Sequence, residues 1–410
     1  MITTNPASAR LRRALADRLE ADGDLRTPTW RAAVEQVPRE MFLGEGVYRR
    51  HDTADGTLWE PITLARVGEA RWLELVYEDT TWVTQLTPLA QPSEPAEPGQ
   101  VPGAVQGVPT SSSTLPGLVV RMLEHLEVQD GDRVLEIGTG TGYSTALICH
   151  RLGNDQVTSV EIDPDVAARA ATALTAAGHR PTLITGDGLA GHPDGAPYDR
   201  IIAACSVRTI PTAWITQATP GARILTTMSG WLYGFGLLAL EVTGDGTAHG
   251  RFLRDTVSFM PARPHAAPPL PADLPAPEGE ARPPIYGASI LDEWMGRFLA
   301  QLAAPTAQRL HLPGDDATPP ADLLIDQATG SHAWLTSTDT GSLVQQHGPA
   351  RLWDQIEHTY QLWDQAGRPT QDHFTVHITP HAQSVRVDTS DDPSGSWPLP
   401  TRPGVGMTRA

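Results

Sequence analysis

The residues best placed to do chemistry form a glycine-rich run with an acid in front of it: Glu136-Ile137-Gly138-Thr139-Gly140-Thr141-Gly142, then Tyr143 and Ser144. An apolar stretch from Arg133 leads in and a helix-compatible stretch follows, which is the setting a nucleotide-type turn requires. Glycine at 138, 140 and 142 tolerates positive φ and lets backbone approach a ligand closely. A dinucleotide turn would receive a pyrophosphate at the helix start. Glu136 would repel that group and suits the amino group of a methionine moiety, or water bound to it. Glu161, in Val160-Glu161-Ile162-Asp163, ends a second apolar stretch where a carboxylate can accept both hydroxyls of a ribose. Asp187, in Gly186-Asp187-Gly188-Leu189, follows a third and can accept from an adenine amine. Three acceptors at successive strand ends outline one adenosine-shaped crevice. The pattern implies an S-adenosylmethionine site and a methyltransferase, with Glu136, Glu161 and Asp187 as acceptors. Its walls would be Gly138, Thr139, Gly140, Gly142, Tyr143, Ser144, Ile162, Gly188 and Leu189. No metal site is expected.

The elements that must position these groups alternate in type. Helices are expected over Leu118 to Leu126, Tyr143 to Leu152 and Pro164 to Ala177. Strands are expected over Arg133 to Ile137, Gln156 to Glu161, Pro181 to Thr185, Tyr198 to Ala204 and Arg223 to Met228. Such alternation implies parallel strands joined by crossover helices, a doubly wound Rossmann-like α/β sheet. Leu237 to Val242 and Thr256 to Phe259 flank Gly244-Asp245-Gly246 and read as a terminal antiparallel hairpin closing one edge. Ahead of this core, Ser8 to Asp22 and Thr29 to Val37 make a helical lead-in. The 410 residues exceed one ordinary core, and the parts divide as follows. A helical, substrate-lid region covers 1–90, a Pro-rich insertion 91–109, the cofactor-binding core 110–265, a Pro-rich linker 266–284, and an α+β accessory domain 285–410. In the last, helices are expected near Ile290 to Leu302 and from Pro349 to Ala366, with short strands near Asp322 to Ile325, Ala333 to Thr336, Thr375 to Ile378 and Ser384 to Val387.

Beyond the cofactor turn, the sequence resembles the protein-L-isoaspartate O-methyltransferases from roughly Val34 to Arg263. The resemblance is carried by Val37-Pro38-Arg39-Glu40-Met41-Phe42, Val76-Tyr77-Glu78-Asp79, Ser113-Thr114-Leu115-Pro116, Val134 to Tyr143, Gly186-Asp187-Gly188 and Val257-Ser258-Phe259-Met260-Pro261. It implies methyl transfer to a peptide carboxylate, with the family's reacting-centre serine matched by Thr114. Thr114 keeps the hydroxyl, and Ser111, Ser112 and Ser113 would form the adjoining wall; any one of these hydroxyls could equally cap a helix. Asp79 either orients substrate backbone or caps a turn. Cys205-Ser206-Val207 follows the fourth strand, where substrate or cofactor contacts arise in this fold, with plain packing the favoured role for Cys205.

Three features depart from the repair enzymes: the Pro-rich insertion, Gly117-Leu118-Val119 where those enzymes tend to carry histidine, and the long C-terminal region. The whole-length pattern, with Ser229-Gly230-Trp231-Leu232-Tyr233-Gly234, Arg351-Leu352-Trp353 and Ser396-Trp397-Pro398-Leu399-Pro400, looks like the branch that accompanies ATP-grasp ligases in graspetide biosynthesis. That resemblance implies an aspartate methyl ester in a cyclised ribosomal peptide, closing to aspartimide, and an ATP-grasp ligase as a pathway partner. The alternatives are a general isoaspartate repair enzyme and, in another class, a cofactor-binding subunit that supports a ligase without turnover.

A formal charge of -18 argues against nucleic acid or an anionic membrane as partner. A small molecule, a peptide or a protein is left as substrate, and the resemblance implies a peptide. Two cysteines, Cys149 and Cys205, are too few for a disulfide framework. No signal peptide or spanning segment is apparent. A cytoplasmic enzyme is expected.

Overall fold

The computed structural model describes residues 6–53, 56–88, 103–314, 318–338, 341–387 and 395–400. Residues 91–102 of the expected Pro-rich insertion lie outside them. The chain divides into two compact units, Met1–Ala204 with Gln217–Ala222, and Cys205–Thr216 with Arg223–Ala410.

In the first unit, α1 (Pro6–Ala21) buries Leu15 and Leu19, spaced one turn apart, and α2 (Pro28–Gln36) buries Trp30, Ala33 and Val34 behind Pro28 in its first turn. A 3-10 turn, Arg39–Phe42, follows. The rest of the region expected to be helical also holds strands: β1 (Gly46–Thr53) and β2 (Gly56–Thr63) precede the helices α3 (Leu64–Val67) and α4 (Glu69–Val76), and β3 (Trp82–Pro88) and β4 (Gly107–Ser113) follow. These strands make an antiparallel sheet in the order β2-β1-β3-β4. The pattern hides it because β1 reads Tyr48-Arg49-Arg50-His51-Asp52 and buries only Val47. A ribbon so exposed shows no apolar alternation.

The expected alternation then follows with α5 (Pro116–Leu126), β5 (Val134–Ile137), α6 (Tyr143–Leu152), β6 (Val157–Glu161), α7 (Pro164–Ala176), β7 (Thr182–Thr185) and β8 (Tyr198–Val207). Parallel registers Val134↔Arg200, Val134↔Val157 and Thr158↔Thr182 give the order β8-β5-β6-β7. Strands β5 and β6 are buried along their whole length, as parallel strands covered on both faces must be. The fold is the α/β Rossmann-like methyltransferase fold. Asp163 caps α7, accepting from Asp165 N at 2.9 Å and Val166 N at 3.2 Å ahead of Pro164.

The second unit takes in the short helix α8 (Thr212–Thr216), the later part of β9 (Ala218–Met228), β10 (Gly236–Gly244) and β11 (Thr247–Phe252). The hairpin strand after Gly244-Asp245-Gly246 is therefore Thr247–Phe252 and not Thr256 to Phe259. It buries only Ala248 and Phe252 among polar neighbours, so the more apolar segment downstream drew the reading. Nor does it close an edge. After α9 (Trp294–Ala303), β12 (Gln308–Leu312), β13 (Ala321–Asp326), β14 (Ser331–Thr338), β15 (Gly341–His347) and α10 (Leu352–Gln365) come β16 (Phe374–Ile378), which pairs with β11 through Ala248↔Ile378, and then β17 (Gln383–Val387) and β18 (Ser396–Pro398). Strands β12 to β15 form a separate antiparallel sheet. Phe298 packs edge-on against Phe252 at 5.0 Å and Phe374 at 5.2 Å to centre this unit's core. The Pro-rich stretch lies along the second sheet, with Trp334 Nε1 donating to Pro275 O at 3.0 Å and Arg282 bridging Val344.

Candidate active site

The cofactor side is built by the end of β5 and the turn after it. Gly138, Gly140 and Gly142 take φ of 87°, 55° and 91°, conformations that cost other residues dearly. Gly138 N donates to Val160 O at 2.8 Å, tying the turn to β6. A Cβ on Gly188 would stand 2.4 Å from Ile137 Cγ2, so the motif after β7 must also be glycine.

Glu136 is buried, with its carboxylate taken up by hydroxyls: Ser144 donates to one oxygen, Thr145 and Ser159 to the other, Ser159 at 2.7 Å. Burial holds its pKa above the ordinary glutamate value, the three hydroxyls opposing. Glu136 thus locks the first turn of α6 to β5 and β6. Glu161 accepts from Gly140 N at 2.9 Å on one oxygen and from Asp163 N at 3.0 Å on the other. Asp187 is exposed and accepts from Leu189 N at 2.9 Å through one oxygen. A carboxylate has about four lone-pair sites, so both keep capacity for a ligand. Ile162 is half-buried beside Glu161 and Leu189 is buried. These residues fit S-adenosylmethionine. The donor set is acidic, suited to a cation carrying an amine and a diol, and the turn is bare of side chains on its glycines.

The acceptor side meets this turn through β4. A Cβ on Gly140 would stand 3.7 Å from Ser112 O. Ser111 Oγ accepts from Thr84 at 3.3 Å, whereas the buried Ser113 Oγ and Tyr143 Oη have no hydrogen-bond partner. Burial pushes the Tyr143 pKa up to about 12, so the phenol stays protonated and a potential donor. Thr114 is half-buried at the mouth of α5, and its carbonyl accepts from Arg39 Nη2 at 3.2 Å. Asp79 caps that helix, accepting from Gly117 N at 2.7 Å. A Cβ on Gly117 would stand 2.4 Å from Asp24 Oδ2 and 2.7 Å from Asp79 Oδ2. No side chain fits there without displacing a carboxylate.

Cys205, Ser206 and Val207 fall in the second unit. Ser206 Oγ donates to Phe259 O at 3.1 Å and accepts from Ser229, while its backbone N donates to Met260 O at 2.9 Å. The late Val257 to Pro261 motif is thereby accounted for as the partner of this segment. Val207 is fully buried and Cys205 is half-buried. Three contributors escaped the sequence reading: Arg39 and Thr81 on the acceptor side, and Ser159 beneath Glu136. For Arg39 the signal is its place in Val37-Pro38-Arg39-Glu40-Met41-Phe42, one of the motifs that carry the family resemblance. Among the described residues there is no metal-binding cluster, and no helix is long and apolar enough to cross a membrane.

Comparison with known proteins agrees with this geometry. The family model for protein-L-isoaspartate(D-aspartate) O-methyltransferase (PCMT) matches residues 100–232. A protein-L-isoaspartate O-methyltransferase of Ignicoccus hospitalis is 33% identical over 193 residues, 46% of this chain and 80% of that protein. The chain belongs to the protein-L-isoaspartate O-methyltransferase family. A Hyperthermus butylicus member is 30% identical over 250 residues, 58% of this chain and 83% of its own length. Two further members are matched over only 59% and 50% of theirs. A solved protein-L-isoaspartate O-methyltransferase shares the fold at 19% identity, with a TM-score of 0.51 over 92% of this chain and 99% of that one. Membership makes the chain an S-adenosylmethionine-dependent protein carboxyl O-methyltransferase.

Proposed function

We propose that this family member methylates an aspartate side chain in a ribosomally made peptide already cyclised by an ATP-grasp ligase, and that the ester closes to aspartimide. The observation that carries this reading is the stretch Gly117-Leu118-Val119, where the repair enzymes tend to carry histidine, and Gly117 in particular. A side chain at Gly117 would have to displace the Asp24 and Asp79 carboxylates, which supports an acceptor side arranged for a different peptide.

A side-chain carboxylate is ionised at neutral pH, with a reference pKa of ~3.9, and no general base is required. S-adenosylmethionine, when bound, supplies the methyl group. Glu161 and Asp187 hold it, with Glu136 fixing the turn, while Thr114 and the Ser111 to Ser113 backbone align the carboxylate and the buried Trp72, Tyr77 and Trp82 exclude water. The product is an ester whose carbonyl the next backbone nitrogen can attack. The five-membered ring forms as methanol leaves with the amide proton, and this step asks nothing of the protein.

Mass spectrometry on both candidate substrates tests the reading. A cyclised aspartate-containing precursor should gain a methyl group and then lose methanol. Ready methylation of a linear isoaspartyl peptide, with the precursor untouched, would assign the enzyme to general repair. Cofactor binding without transfer to either would leave a supporting subunit of a ligase.

A further inference from the structure

Three of the motifs that carry the family resemblance converge on one guanidinium. Arg39 is fully buried and its acceptors are all backbone carbonyls: Nη1 donates to Val76 O at 2.7 Å and Glu78 O at 3.0 Å, Nη2 to Thr80 O at 3.1 Å and Thr114 O at 3.2 Å. Its guanidinium lies over the ring of Tyr143 at 5.8 Å, Asp79 acts on it only at a distance, and among the described residues no carboxylate pairs with it. Burial lowers its pKa to about 10, which leaves it a cation at neutral pH. Holding an unpaired charge in the interior is expensive, and a packing role would be met more cheaply by an apolar side chain. What a planar fork does that an apolar group cannot is fix several carbonyls in one plane.

The same turn grips the acceptor segment twice more. Leu115 N donates to Thr81 Oγ1 at 3.1 Å, and Gly117 N to Asp79 Oδ1 at 2.7 Å. Residues 114, 115 and 117 are therefore each tied to the 76–81 turn, from the carbonyl side by Arg39 and from the amide side by Thr81 and Asp79. Ser112 O lies against Gly140, so any slack in this clasp shifts the acceptor wall relative to the cofactor turn.

We infer that Arg39 and Thr81 are positioning residues that set Thr114, and through it the acceptor carboxylate, against the cofactor turn. The inference rests on the assignment of Thr114 made above. Misplacement of a reacting group by about an ångström costs up to ~100-fold in rate, so partial loosening should cost roughly tenfold in kcat.

Thr81 is exposed, so its variants should fold where Arg39 variants fail. Four variants, Thr81→Ala, Thr81→Ser, Thr114→Val and the Thr81→Ala/Thr114→Val double, would be assayed on whichever of an isoaspartyl peptide and a cyclised precursor the wild type methylates. Thr81→Ala should lose roughly tenfold in kcat with KM, melting temperature and S-adenosylhomocysteine affinity unchanged. Thr81→Ser should restore the rate. The double variant should be no slower than Thr114→Val alone, because the Thr81 bond to Leu115 N acts only by placing the Thr114 hydroxyl. A full-rate Thr81→Ala beside an impaired Thr114→Val, or losses that simply multiply in the double, would overturn the clasp and leave the Thr114 assignment standing. A full-rate Thr114→Val would remove that assignment itself.

Discussion

The cofactor turn and the acceptor wall share one unit, and Gly140 nearly touches Ser112, but they are built by opposite means. The turn draws its shape mainly from one short run, Glu136 to Thr145, whose glycines set the backbone and whose Ser144 and Thr145 hydroxyls, with Ser159 from β6, donate to the buried Glu136. The wall is assembled from segments far apart in sequence: Asp24, Arg39, the 76–81 turn and the Ser112 to Gly117 stretch. A locally determined site tolerates change elsewhere in the chain. A site held by distant carbonyls is retuned by any of its suppliers, which is where a family sharing one cofactor can diverge in substrate.

The contrast breaks or sharpens under substitution. Gly140→Val places a β-branched residue at φ 55°, with its Cβ toward Ser112 O. At ~1–3 kcal/mol of strain, calorimetry should show S-adenosylhomocysteine affinity falling by roughly 10- to 100-fold. Gly117→His should cost about 1–3 kcal/mol of stability by overpacking against Asp24 and Asp79. It should slow methyl transfer while cofactor affinity holds, and a loss of affinity equal to the loss of rate would mean the two sides are not separable.

Glu136→Gln tests the buried acid through pH. Because burial raises the folded-state pKa of Glu136, the stability it contributes is present below the ordinary glutamate value and is lost as pH rises through the raised one. Thermal melts should therefore show the wild type's advantage over the glutamine variant, about 1 kcal/mol, shrinking across that interval. An advantage that grows with pH would contradict the burial argument. The smallest effect belongs to Asp187→Asn, since asparagine caps as well as aspartate and the position is exposed; cofactor affinity should fall only about threefold, within ~1 kcal/mol.

Legibility in the sequence follows the same division. The parallel core was readable because β5 and β6 carry Val134, Leu135, Ile137, Val157 and Val160 in short runs and Asp163-Pro164 announces the helix that follows. The glycines and acids of the turn were readable because backbone demands there select residue types directly. The sheet of β1 to β4 was not, since charged Arg49, Arg50 and Asp52 mask its period, and the hairpin partner of β10 was displaced because Thr247–Phe252 is mostly polar. Arg39 was visible as a letter without a role. Its acceptors are main-chain oxygens, and a carbonyl at Val76 or Thr80 leaves no mark on which side chain stands there.

The path of the chain has a consequence for how such a protein can be inherited. It leaves the first unit after Ala204, comes back for Gln217–Ala222 and departs again at Arg223. The returning stretch is stitched to the root of β8, with Tyr198 N donating to Gln217 O at 2.8 Å and Thr219 Oγ1 to Asp199 Oδ1 at 3.1 Å. A cut after Ala204 takes Gln217–Ala222 from the first unit and a cut after Ala222 takes Cys205–Thr216 from the second, so no single cut in the gene leaves both halves whole. A chain ending at Ala222 would keep every residue of the first unit, whereas no fragment beginning at Arg223 carries the whole of the second, so the separation is one-sided.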